Sequence, residues 1–222
     1  AETGQLASAW LGTSGAALTR QTAEAQGLDR PAGVRVTRVT PGSPAARAGV
    51  RPGDVLLALD GRPLADPGAL AYRLATTEAP RTARLDLARE GRPLTLDVML
   101  VPAPEFPPRD TRQIMAETSP VLAGVTVANL SPALAQELGG DQPESGVIVL
   151  AIAADAPARL FRFPLPGDRI LAVNGRAVGS VAELVRTLPP GPVQLRLDRG
   201  GQLQECVVES RSRWGCRAEP LA

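Results

Sequence analysis

The chain has 222 residues, 44% of them hydrophobic and only 3% aromatic, with a formal net charge of +1. That is length for two modest domains with aliphatic cores, and the balanced charge gives no footing for nucleic acid. Histidine is absent, which removes the commonest general base and metal ligand and the usual serine-protease triad.

No apolar run approaches the roughly 20 residues that span a bilayer, and no leader pattern is present. The chain starts at Ala1 without Met, as a processed chain or an excised fragment would. Taken in order, its segments are written twice. LGTSGAALT (11–19) has a counterpart in AGVTVANLS (123–131). The GTSG within it has the outline of a nucleophile turn, but Ser14 lacks a histidine base and stands where a strand begins. GVRVTRV (33–39) and GVIVLAI (146–152) are β-branched and predict a strand in each copy. SPAARAG (43–49) predicts a short helix: a capping serine, a proline suited to the first turn, a terminating Gly49. Its counterpart APARLFRF (156–163) carries Phe161 and Phe163 where the first copy has small residues. These two either enlarge a local core, as size favours, or cover a groove or dock another domain.

PGDVLLALDG (52–61) and PGDRILAVNG (166–175) predict a turn, a buried strand and an Asp-Gly or Asn-Gly turn. Asp54 and Asp168 have the look of a catalytic acid pair, yet aspartate in such a turn ordinarily accepts backbone hydrogen bonds. A helix follows from Asp66-Pro67, and in the second copy from a capping box, Ser180 to Glu183. Hairpins turning at Glu90-Gly91 and Gly200-Gly201 close the copies. Between them VPAPEFPPRD (101–110) is proline-rich and predicts a stiff, extended connection. Cys206 and Cys216 either close one short disulfide loop, which suits an oxidising compartment, or remain two thiols; two alone cannot build a structural zinc site.

Strand, short helix, Gly-Asp turn, strand, longer helix and hairpin, twice in the same order, resemble the PDZ domain. The position of the LG segment and its helix ahead of Gly33 resembles the circularly permuted bacterial form. WLG (Trp10–Gly12) resembles that family's carboxylate-binding loop. VANLSPALAQELG (127–139) and APEFPPRD resemble the second PDZ domain and linker of Do-type periplasmic serine proteases, the DegP/HtrA family. The resemblance runs from about Gly4 onward.

It implies an α+β, mostly β fold: two circularly permuted bacterial-type PDZ domains joined by a Pro-rich linker. Residues 1–8 would be the tail of an upstream domain, 9–102 the first domain, 103–120 the linker, 121–210 the second domain and 211–222 a C-terminal tail. It implies no catalytic residue, metal or cofactor in this chain. It also implies a protease domain upstream in cis, a homo-oligomeric parent, a periplasmic setting, and unfolded or C-terminally exposed polypeptides as partners. A peptide would add as a strand, its carboxylate held by successive backbone N–H groups. In the first copy the loop is Leu11, Gly12 and Thr13, the strand runs through Ser14, Gly15 and Ala16, and the helix wall is Leu70, Ala71 and Leu74, the alternative being that Leu70 and Leu74 are both core. A weaker second groove comprises Ala123, Gly124, Val125, Leu184 and Leu188. Ser8 and Ala9 stand where relatives often place Arg or Lys; Arg73 of the helix either substitutes or, the commoner case, is simply solvated. On these grounds the first copy is the peptide site and the second an assembly or regulatory module. The alternatives are a freestanding PDZ adaptor and, against the missing histidine, an enzyme in its own right.

Overall fold

The computed structural model describes residues 8–139, 145–210 and 213–218. The chain forms two compact units, one up to Pro104 and one from Glu105 on. The first contains β1 (Ala9–Trp10), β2 (Thr13–Ala17), α1 (Arg20–Ala25), β3 (Val34–Val39), α2 (Pro44–Ala48), β4 (Val55–Leu59), β5 (Arg62–Pro63), α3 (Pro67–Ala75), β6 (Arg81–Arg89) and β7 (Arg92–Pro102). All pairings are antiparallel, in the order β1-β7-β6-β4-β3-β2, with β5 beside β4. Period-two alternation sets the buried face: Ala83, Leu85 and Leu87 of β6 point inward while Thr82 and Arg84 face solvent. Leu11, Val34, Leu56, Leu85 and Leu100 form the centre of the core. Burying each such side chain stabilises by about 1.5–3 kcal/mol, so aliphatic residues suffice where aromatics are scarce.

The caps fall where the sequence places them. Ser43 Oγ accepts the Ala46 N–H at 3.1 Å, starting α2 behind Pro44. Asp66 Oδ1 accepts the Ala69 N–H at 2.8 Å, starting α3 behind Pro67. Asp60-Gly61 and Glu90-Gly91 make two-residue turns with all four residues at positive φ, which matches the twist of the strands they join.

The second unit repeats the plan with β8 (Thr111–Gln113), β9 (Val125–Leu130), α4 (Pro132–Glu137), β10 (Gly146–Ile152), α5 (Ala158–Phe161), β11 (Arg169–Val173), β12 (Arg176–Ala177), α6 (Val181–Thr187), β13 (Val193–Arg199), β14 (Gln202–Ser210) and β15 (Arg213–Ala218). Its sheet order is β15-β14-β13-β11-β10-β9-β8, with β12 beside β11. Phe161 and Phe163 are buried, their rings 5.8 and 6.3 Å from that of Trp214, and so enlarge the core. The capping box at Ser180 is modified. Ser180 Oγ accepts the Glu183 N–H at 3.2 Å, but the Glu183 carboxylate takes the N–H of Gly179 at 2.8 Å instead of that of Ser180.

Two expected boundaries shift. Residues 103–120 do not serve wholly as a linker: from Glu105 they belong to the second unit, with β8 paired to β9 and Ile114 buried. Pro102, Pro104, Pro107 and Pro108 all lie ahead of β8, and it is pairing with the edge of β9 that extends Thr111–Gln113. Residues 211–222 are not simply a tail, because β15 pairs with β14 and a Cys206–Cys216 disulfide joins the two strands. Residues 1–7, 211–212 and 219–222 lie outside the described residues. Ser8 forms an isolated bridge with Glu78.

Candidate functional site

The Pro-Gly-Asp turns are structural in both units. Asp54 is 1% exposed; its Oδ2 accepts the Arg51 N–H at 2.8 Å, and both carboxylate oxygens take Arg89 at 2.7 Å. Asp168, also 1% exposed, repeats this with the Leu165 N–H at 2.7 Å and Arg199 at 2.7 Å. Such fork-to-fork pairing is the strong form of an ion pair. Hydrogen bonding to the aspartate raises both guanidinium pKa values above their ordinary value, against the opposing pull of burial. These carboxylates are committed to holding a turn to the last residue of a strand far along the chain.

The chemistry that remains lies at the edge of the first sheet. β2 pairs with β3 on one side, and its other side has no strand among the described residues. α3 lies beside β1 and β2. The loop entering β2 is fixed by its carbonyls: Leu11 O accepts the Ala45 N–H at 3.0 Å and Gly12 O the Thr40 N–H at 2.9 Å. This tethers the loop to α2 and to the end of β3. The Gly12 N–H has no acceptor among the described residues. Gly12 sits at φ 79°, and a Cβ there would lie 2.2 Å from Ser43 Cβ, so the position admits only glycine. Gly15 is similarly confined, with Val34 Cγ1 2.3 Å from where its Cβ would stand.

The predicted residues divide by role. Leu11 is wholly buried and offers the site only its backbone, while Leu70, 7% exposed, belongs to the core. Leu74 is half-buried against that core, and Ala71 is exposed on the same helix. Thr13, Ser14, Gly15 and Ala16 are half-buried along β2, where Ser14 Oγ accepts a hydrogen bond from Arg38 Nη2 at 3.2 Å. The structure thus brings together a backbone N–H at a tight turn, an open strand edge and a partly apolar helix.

In the second unit the equivalent loop, Ala123-Gly124-Val125, has the same turn, with Gly124 also at φ 79°. Here its donor is used: the Gly124 N–H donates to Ile114 O at 2.9 Å, and the Ile114 N–H donates to Val125 O at 2.8 Å. Leu184 and Leu188 of the second groove are buried in one cluster with Ile114. Three of these residues were missed in the sequence. Arg89 and Arg199 each precede a hairpin turn at matching places in the two copies, a signal that was there to be read. Ile114 opens a three-residue apolar run, Ile114-Met115-Ala116, too short to show a periodicity.

A PDZ domain family model matches residues 35–89. The chain is 29% identical over 201 residues to the periplasmic serine endoprotease DegP of Salmonella typhimurium, covering 90% of this chain and 39% of that protein. It is 30% identical over 211 residues to a probable DegP-like periplasmic serine endoprotease of Pseudomonas putida, covering 90% and 42%. The chain therefore spans about two-fifths of the curated relatives it matches. Among solved structures, it is similar to the HtrA-type protease AlgW with decapeptide, at 34% identity over 46% of this chain and 32% of that one, TM-score 0.41. It is also similar to the HtrA3 PDZ domain bound to a phage-derived ligand (FGRWV), at 24% identity over 41% and 84%, TM-score 0.35.

Proposed function

We propose, from the premise that this chain carries a PDZ domain and is homologous over nine-tenths of its length to the DegP/HtrA-type periplasmic serine proteases, that its first unit captures C-terminal or unfolded segments of polypeptides by adding them as a strand to β2. The observation that carries this reading is the unpaired edge of β2 beside α3, with the Gly12 N–H directed to no internal acceptor among the described residues. Main-chain pairing supplies affinity without reading sequence, and the turn at Gly12 supplies a donor for a terminal carboxylate. An aliphatic last residue would lie against α3 near Leu74 and Ala71. By this reading the chain regulates or assembles a protein-quality-control serine protease whose catalytic domain is in cis, in the periplasm. The disulfide fits that oxidising compartment.

A titration of a peptide ending in Val or Ile into the 15N-labelled chain tests it. Amides of Gly12 through Ala17 should move, with an affinity of micromolar order, about −8 kcal/mol. A C-terminally amidated peptide should bind more weakly. No movement at these amides up to millimolar peptide would refute strand addition at β2.

A further inference from the structure

The segment from Glu105 to Ile114 runs along the full length of β9. At one end the Ser131 hydroxyl donates to Glu105 Oε1 at 2.6 Å. Next, the carbonyls of Pro108 and Asp110 accept from Asn129, through its side-chain amide at 2.9 Å and its backbone N–H at 3.0 Å. Thr111, Arg112 and Gln113 then face Ala128, Val127 and Thr126 in an antiparallel ladder. At the far end Ile114 bonds Val125 and Gly124 through its N–H and carbonyl. The other end of the Asn129 side chain, Oδ1, accepts the Val181 N–H at 2.8 Å, so one residue fastens the segment to the start of α6. Of residues 105–114, only Ile114 is buried, at 2% exposure.

This is the placement a captured peptide would take: antiparallel to the strand that follows the loop, last side chain buried in the cluster that holds Leu184 and Leu188, last carbonyl on the loop glycine's N–H. Among the described residues, two copies of one fold therefore show the same edge once open and once filled. We infer that residues 111–114 are an internal peptide ligand of the second unit, whose groove is a binding site for peptides ending in an aliphatic residue and admits one only after the chain's own segment leaves. The inference rests on the strand-addition reading of the first unit and extends it to a second site with its resident occupant. One buried side chain, a row of edge hydrogen bonds and two side-chain pairs, Glu105 with Ser131 and Arg109 with Glu137, hold the segment. It can open locally while the sheet stays folded.

The test uses the full chain and a synthetic peptide of residues 105–114, EFPPRDTRQI, with a free carboxylate. In the wild-type chain the amides of Gly124, Thr126 and Ala128 should not move. In Ile114→Ala, which empties the apolar contact, and in Arg112→Pro, which removes a ladder donor and leaves the core side chain in place, the same amides should move. The variants' affinity should be at least roughly tenfold tighter than that of wild type, because the competent fraction has risen. Where Ile114→Ala fails to fold, Arg112→Pro decides. Equal binding at these amides in wild type and variant, or a folded Arg112→Pro that leaves them unmoved, overturns the inference. Hydrogen exchange of wild type gives a reading that needs no variant. The Ile114 and Gly124 amides should exchange together through an opening that leaves the Val149 and Gly167 amides protected. Exchange of all four only on global unfolding would make the segment permanent core and refute the idea. The same spectra show Gly12 to Ala17, so failure of the first unit to bind is seen separately from the outcome at Gly124.

Discussion

At the scale of single residues, Gly12 carries the sharpest constraint. Its left-handed backbone and the contact that a Cβ would make with Ser43 leave no room for substitution. Gly12→Ala should displace the buried cap of α2 and strain the turn, destabilising the first unit by about 1–3 kcal/mol, as read by urea denaturation. The same change should weaken capture of a free carboxylate. The aspartates of the repeated turns make a different prediction. Asp54→Ala leaves the Arg51 N–H without its acceptor and the Arg89 guanidinium with its bond to the Gly49 carbonyl alone, and should cost about 3 kcal/mol, at the low end for a broken buried pair because a quarter of the Arg89 side chain stays in water. Asp168→Ala should behave alike through Arg199. Replacing Arg89 together with Asp54 should recover part of the loss. If either aspartate can be removed without cost, the turn does not depend on it.

At the scale of elements, local chemistry was legible and edge occupancy was not. Ser43, Asp66 and the Asp-Gly turn announce their helices and hairpin in the letters themselves, since a cap or a two-residue turn is decided by neighbours in sequence. Leu70 was ambiguous because a helix of nine residues presents a core face and a groove face that meet along one margin. The strand at Thr111–Gln113 left no mark: an unpaired edge of β9 twelve or more residues away is what orders it, and no local pattern encodes that. The two outer strands of the second sheet share an electrostatic weakness. Glu205 is held below the ordinary glutamate range by hydrogen bonding to Arg217 of β15, against the opposing effect of burial. For Glu105 burial alone would raise the pKa, but the Ser131 hydroxyl and Arg109 outweigh it and the net shift is downward. A lowered folded-state value stabilises fully above the ordinary glutamate range and is lost as pH falls through the folded value. Acidification below about pH 4 should therefore loosen β15 and the 105–114 segment before the central strands, visible as early exchange of their amides. Simultaneous loss of protection across the whole sheet would count against it.

At the scale of the molecule, the repeat explains why one plan serves two ends. In the first unit the segment ahead of the glycine loop pairs with β7, at the edge opposite β2; in the second it turns the other way and lies on β9. The fold is the same, and the route of the entering chain decides which edge stays open. This sets where the second unit begins. A fragment from Glu105 should unfold cooperatively in denaturant. One from Val121, where the sequence alone suggests a boundary, lacks Ile114 and β8 and should be markedly less stable or associate through the bare edge of β9. Equal stability of the two fragments would place the boundary back at Val121.

Because Ile114 is joined to the groove it fills, recognition there becomes a property of folding. A tethered occupant is present at a high effective concentration whatever the protein concentration, so its fit registers as a melting temperature instead of a dissociation constant. A series at position 114 running through Val, Leu, Phe and Ala should rank the side chains the pocket prefers, with no peptide added. The order should reappear in the affinities of free peptides ending in the same residues for the Arg112→Pro chain.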